Sequence, residues 1–311
     1  MTRKRWILTA TAAATALVLS ACGGSSNPLE GGGASESAAP APEAGEVVVG
    51  SANFTESQVL AELYAQAMQA QGVQATTRPN IGSREVYLTA LQDGSISVIP
   101  EYTGNLLLYF DAESPASTPE EIETALDEVL AGEQLVLGTP SEATDQDVYV
   151  VTAEYSQQNQ VTSLEDLADL APDAVLGGPA ELAERSYGPP GLAELYGVEF
   201  GEFRPYDAPA VKIRDLNDGK IQVATFFTTE SAIGDNGYVQ LEDPQGMILP
   251  QNIVPLMAPQ VAQNTAAVDA MDAVSEALTT EELTALNKAV DVDRRNPGEV
   301  AGEWLAGEGL A

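Results

Sequence analysis

The chain has 311 residues, room for two domains of ordinary size, and 44% of them are hydrophobic, so a sizeable core can form. Its 13 Lys and Arg stand against 47 Asp and Glu, a formal charge of -34, which makes nucleic acid and anionic lipid poor partners and weakly favours an organic cation over an anion. There is no His and one Cys, which excludes His-dependent acid–base chemistry, the usual zinc sites and an intramolecular disulfide.

The N-terminus carries Arg3-Lys4-Arg5, then an apolar stretch from Ile7 to Val18, then Leu19-Ser20-Ala21-Cys22. This order reads as a secretory signal over residues 1–21 ending in a lipobox. Similarity to bacterial lipoprotein signals implies cleavage before Cys22 and acylation of its sulfur. The chain is then expected on the extracytoplasmic face of the cell membrane, held by lipid alone. A transmembrane anchor is the other reading, but the apolar stretch is short for one. Residues 22–45 are mostly Gly, Ser, Ala, Pro and Glu, which cannot bury a core and are expected to form a flexible tether.

At Glu46 the character changes. Val47-Val48-Val49 predicts a short buried strand. After Asn53-Phe54-Thr55-Glu56, a helical stripe of Val59, Leu60, Leu63, Tyr64, Ala67 and Met68 runs to a stop at Gly72. A strand near Val73, a helix over 83–92 and a strand over 96–99 follow. Thr118-Pro119-Glu120-Glu121 predicts a capping box with Pro in the first turn. Helices are also expected after Thr265 and around 281–290. Strand–helix alternation over this length predicts an α/β protein with largely parallel sheets.

An internal repeat is present. Leu91, Asp93, Gly94, Ile96, Val98 and Thr103 recur, at one constant spacing, as Leu216, Asp218, Gly219, Ile221, Val223 and Thr228. Tyr102 precedes the first Thr and Phe227 the second. Leu60-Ala61-Glu62-Leu63-Tyr64 is echoed by Leu192-Ala193-Glu194-Leu195-Tyr196, each downstream of an apolar run ending in Gly, at Gly50 and Gly177. The repeat predicts two similar α/β lobes: residues 46–142 with 237–311, and residues 143–236. Two chain crossings, near 138–142 and 231–237, would form the hinge. Ligands of open α/β sheets bind at the strand C-terminal ends. That rule selects 53–56, 82–84, 102–104, 178–185 and 226–230 as cleft segments.

The stretches VVVGSANFTESQVLAELYAQAMQAQG, IGSREVYLTALQDG and PEYTGN resemble the substrate-binding proteins of osmoprotectant, quaternary-amine ABC transporters. So do LGGPAELAERSYGPPGLAELYGVEF, IRDLNDGKIQVATFFTTES and LNKAVDVDRRNPGEVAGEWL. The resemblance implies a type II periplasmic-binding-protein fold closing on glycine betaine, choline or a related ligand. It implies an aromatic cage for the ammonium, and basic and backbone donors for any carboxylate. The implied partners are an ABC permease and its cytoplasmic ATPase, with the binding protein itself a monomer without cofactor or metal. Carried over position by position, the cage residues are Tyr102, Tyr149 and Phe227, with help from Phe54, and the carboxylate partner is Arg185. The chain departs from the family pattern at Ala52, where a Lys is common, at Gln251 in place of a late aromatic, and in Thr225-Phe226-Phe227-Thr228-Thr229-Glu230.

Asn53, Thr55, Ser83, Arg84, Thr103, Thr228 and Thr229 complete the candidate ligand shell. Thr55, Ser83, Thr103 and Thr228 are expected to cap helices first and to donate to ligand second. Of Phe226 and Phe227 only one can face the cleft. Arg84, in the first turn of a helix, is unfavourably placed against the helix dipole and calls for a specific acid, expected on the opposite lobe. The plain alternative for Arg185 is a surface salt bridge. Other functions considered are a same-fold binder of an amino acid or a betaine-like thione, a carboxylate-dependent envelope enzyme, and a structural envelope lipoprotein.

Overall fold

A computed structural model describes residues 45–311. The signal over 1–21, Cys22 and almost all of the tether lie outside the described residues. Among the described residues no helix is long and apolar enough to cross a membrane.

Among the described residues, ten strands form two five-stranded sheets. They are β1 (Val47–Gly50), β2 (Ala75–Arg78), β3 (Val98–Tyr102), β4 (Val136–Leu137), β5 (Asp147–Val151), β6 (Val175–Gly178), β7 (Glu202–Pro205), β8 (Val223–Phe227), β9 (Val239–Gln240) and β10 (Ile253–Met257). The first sheet runs β2-β1-β3-β10-β4 and the second β7-β6-β8-β5-β9. In each, the first three strands are parallel, the fourth runs antiparallel to both its neighbours, and the fifth shares the direction of the first three. Apolar clusters cover both faces of both sheets, so each lobe is a helix–sheet–helix sandwich. The predicted mixture of strand and helix is present, with one reversed strand per sheet, β10 and β5, that alternation alone does not reveal.

The repeat is built into this topology. β3 and β8, which carry the repeated residues, are the central strands of the two sheets. The Asp-Gly turns that feed them place Gly94 and Gly219 at φ 78° and 68°, a conformation open to Gly at little cost. A Cβ at Gly50 would come within 2.6 Å of Ile96 Cδ1, and one at Gly177 within 2.5 Å of Ile221 Cδ1. The paired glycines therefore exist for one reason in both lobes: they let the repeated Ile side chain cross the neighbouring strand.

The helix Thr55–Ala70 follows β1 and buries Leu60, Leu63, Tyr64 and Met68. The C-terminal helices Thr265–Ala277, Thr280–Asp291 and Pro297–Glu308 pack against it through Val274, Leu283, Leu286, Val300 and Leu305. Thr118 and Glu121 form the predicted capping box of the helix Pro119–Glu133.

The crossings differ from expectation at one end. The sequence places the return to the first lobe at 237, but β9 pairs with β5, and Leu241 and Met247 pack in the second lobe's core. The chain rejoins the first sheet only at β10, so the second crossing lies at 249–252 and not at 231–237. A two-residue strand carries no periodicity, which is why it is invisible in the sequence. The two crossings run side by side. Ser141 N–H donates to Ile253 O at 2.8 Å, and Asp145 N–H to Gln251 O at 3.1 Å.

Candidate functional site

The carboxyl ends of β3 and β8 and the loop after β1 meet at the seam between the lobes. At its centre is Glu56, 4% exposed, in the first turn of the helix after β1. The Tyr102 hydroxyl donates to its Oε1 at 2.6 Å. The Thr229 hydroxyl and Asn287 Nδ2 both donate to its Oε2 at 2.6 Å. Tyr102 ends β3 of the first lobe, Thr229 follows β8 of the second, and Asn287 lies on a C-terminal helix. One carboxyl group therefore ties together three segments from both lobes. Burial, with Glu56 beside it, holds the Tyr102 phenol well above its ordinary pKa, so it remains a donor.

Asp145, on the first crossing, accepts from the Thr228 hydroxyl at 3.1 Å and from Thr229 N–H at 3.0 Å through Oδ1. Its Oδ2 is buried with no partner. Burial, and then the charge of Glu56, push its pKa well above the usual carboxylate value. Three rings meet at this seam. The Phe54 ring centroid is 6.2 Å from that of Tyr102 and 5.2 Å from that of Phe227. Phe227 thus takes the cleft position, whereas Phe226 is 2% exposed and packs in the second lobe's core against Tyr238.

A second part of the seam is ionic. Arg84 Nε and Nη2 donate to the two carboxylate oxygens of Glu101 at 2.9 and 2.8 Å, and the Tyr87 hydroxyl donates to Glu101 at 2.7 Å. The acid that Arg84 requires is therefore on its own lobe, on β3, and not across the cleft. The bidentate pairing outweighs the unfavourable dipole at the helix start. Asn105 Nδ2 donates to Asp147 on the opposite lobe at 2.6 Å. Asn105 is in turn gripped at both ends by Gln251, whose Oε1 accepts from the Asn105 N–H and whose Nε2 donates to Asn105 Oδ1. Gln251 is fully buried at the crossing and acts on the hinge, not in place of a cage aromatic. Gly104 makes that packing possible, since a Cβ there would lie 2.5 Å from Pro250 O.

Arg185 Nη2 meets Glu85 of the first lobe at 2.6 Å, with Tyr109 under the guanidinium at 5.8 Å. The salt-bridge reading of Arg185 is the one this geometry supports, and the bridge spans the lobes. Tyr149 does not reach the cage: it is 1% exposed in the second lobe's core, and its hydroxyl donates to Tyr187 O at 2.8 Å. Asn53 is exposed at the mouth of the loop.

The expected caps are mostly absent. Phe54 and Tyr102 occupy the cap positions, which leaves Thr55 and Thr103 inside their helices. Thr55 donates to Asp291, and the Thr103 hydroxyl accepts from Asn252 N–H on the second crossing. Ser83 stands at a cap position, but its hydroxyl donates to Glu85. Thr228 precedes no helix directly and serves Asp145. Each hydroxyl finds a stronger acceptor or a tertiary partner than the local amides offer.

Sequence reasoning placed Glu56 in a cleft segment without giving it a role, and it missed Asn105, Asp145, Asp147 and Asn287. Nothing in their local pattern separates them from the other acids and amides of an acidic chain.

The chain matches the family described as the substrate binding domain of ABC-type glycine betaine transport system over residues 45–307. It is 25% identical over 290 residues to the glycine betaine-binding protein YehZ of Escherichia coli, covering 87% of this chain and 93% of that protein. A solved structure of a glycine betaine/carnitine/choline ABC transporter protein superposes with TM-score 0.67 at 21% identity, covering 85% of this chain and 99% of the other. The lactococcal protein OpuAC, solved closed on glycine betaine, superposes with TM-score 0.63 at 16% identity, covering 85% and 96%. These likenesses establish the type II periplasmic-binding-protein fold that the resemblance implied.

Proposed function

The chain belongs to the family of substrate-binding domains of ABC-type glycine betaine transport systems, and from that premise we propose that it captures a quaternary-amine osmoprotectant between its lobes and hands it to a permease coupled to an ATPase. The family is a solute-binding component of a transporter and not an enzyme. One observation carries the ligand reading: the rings of Phe54, Tyr102 and Phe227, drawn from both lobes, meet at the seam in which Glu56 and Asp145 are buried, with the Tyr102 hydroxyl on Glu56. A quaternary ammonium has no N–H, so hydrogen bonds cannot hold it. Aromatic faces and a nearby anion can, each ring contributing ~0.5–2 kcal/mol when desolvated. Because rings of both lobes touch the cation only when the lobes are shut, ligand shifts the population toward the closed form.

Calorimetry of the purified chain against choline, glycine betaine, carnitine and amino acids tests this reading. Micromolar or tighter binding of at least one quaternary amine is expected. Binding of amino acids alone would move the protein to the other ligand class.

The N-terminal order supports tethering through a lipid on Cys22, outside the cytoplasmic membrane. Several acyl chains hold firmly where one holds weakly. In cell fractionation, Cys22→Ser is expected to release the protein into the medium or to accumulate it unprocessed. A normally cleaved Ser variant that stays in the membrane would refute the anchor.

A further inference from the structure

The groups left over at the seam are acceptors. Asp145 Oδ2 and Asn287 Oδ1 are buried with no donor from the protein, in residues 2% and 5% exposed, and the Asp145 carboxyl lies against that of Glu56. Both are polar atoms withdrawn from water, and a native fold rarely leaves such atoms unsatisfied. The buried bases are committed elsewhere. Arg84 is bidentate on Glu101. Arg185 is paired with Glu85; its Nε is a buried donor without a partner, but on a guanidinium whose charge is already matched. Lys212 Nζ donates to Thr225 O at 2.6 Å, 3.9 Å from the Phe226 ring centroid and 4.0 Å from Glu230.

We propose that the site selects quaternary amines of net positive charge, choline-class amino alcohols, and rejects zwitterions that carry their own carboxylate. The proposal rests on the seam being the quaternary-amine site. A cation there answers the acids Glu56 and Asp145 directly, and in a desolvated seam that attraction is far stronger than in water. A ligand hydroxyl can donate to Asn287 Oδ1, the acceptor still open. A ligand carboxylate brings further negative charge beside this acid pair, and Arg84, Arg185 and Lys212 are all committed elsewhere. Like charges at close range are the repulsive element by which a binding site discriminates.

Calorimetry on the full chain, at one pH and salt concentration, with choline, glycine betaine, the methyl ester of glycine betaine and neutral 3,3-dimethylbutan-1-ol tests the proposal. Choline is expected to bind at least about tenfold more tightly than glycine betaine. The methyl ester, which keeps the skeleton and loses the carboxylate charge, is expected to approach choline, and the neutral isostere to bind far more weakly than choline. Asp145→Asn is expected to bring the choline-to-betaine affinity ratio toward one, a ratio that does not depend on how much of the variant is folded. Glycine betaine binding as tightly as choline or the ester, an isostere as tight as choline, or an unchanged ratio in Asp145→Asn would each overturn the charge selection. All three would leave the quaternary-amine reading standing. Failure of every quaternary amine to bind would remove that reading itself.

Discussion

Tyr102→Ala is expected to weaken quaternary-amine binding by roughly one to two orders of magnitude. Two losses combine. The variant removes one of the three rings that meet at the seam, and it removes the hydroxyl that donates to Glu56 at 2.6 Å. Tyr102→Phe separates them. It keeps the ring and deletes the donor, so its affinity is expected to lie between those of Ala and wild type. Glu56 would keep Thr229 and Asn287 but lose one hydrogen bond in a buried setting, which costs about 1.5–3 kcal/mol of stability. Calorimetry gives the first effect and denaturant unfolding the second. A Tyr102→Ala protein that binds its ligand as wild type does would show that the ring is core packing and not cage.

Asp145→Asn is expected to stabilise the ligand-free protein and to weaken cation binding at least about tenfold at neutral pH. Asn can keep the two hydrogen bonds to Oδ1, and its amide can donate to the neighbouring Glu56 carboxylate in place of an acid–acid contact. In the wild type, burial and Glu56 raise the folded-state pKa of Asp145. The fold therefore favours the protonated acid. The stability this contributes is complete below the unfolded pKa and is lost as pH rises through the raised folded value. A bound cation favours the ionised form, so affinity rises with pH across the same window. Burial raises Asp147 and Glu230 as well, and they add to the wild-type slope. The difference between wild type and Asp145→Asn isolates the one group. For a chain of this size each kcal/mol moves Tm by about 2–4 °C. Scanning calorimetry at several pH values with and without choline reads both arms. A lower Tm in the variant, or undiminished cation affinity, would show that Asp145 is a structural acceptor with no part in recognition.

The stability cost that Asp145 carries without ligand has a counterpart across the seam. The Arg185–Glu85 bridge, the Asn105–Asp147 hydrogen bond and the Thr229–Glu56 hydrogen bond all cross between lobes. Gln251 on the second crossing holds Asn105 at both ends, so the hinge and one of these contacts are the same piece of structure.

What the sequence by itself determined is what local chemistry sets. The strand and helix periods, the capping box at Thr118 and the turn glycines are fixed by neighbours within a few residues. The repeat is legible because each lobe needs the same Ile, with the same Gly beside it, at the same strand. That repeat alone pairs Tyr102 with Phe227, and the structure brings both rings against Phe54. Only the tertiary structure decided which acid answers Arg84, where Tyr149 points, that β9 stays with the second lobe, and that Glu56 meets Asn287 from 231 positions away. The partners of a buried acid are chosen by how lobes and C-terminal helices dock. In a chain with 47 acids, no local pattern marks the two that docking encloses.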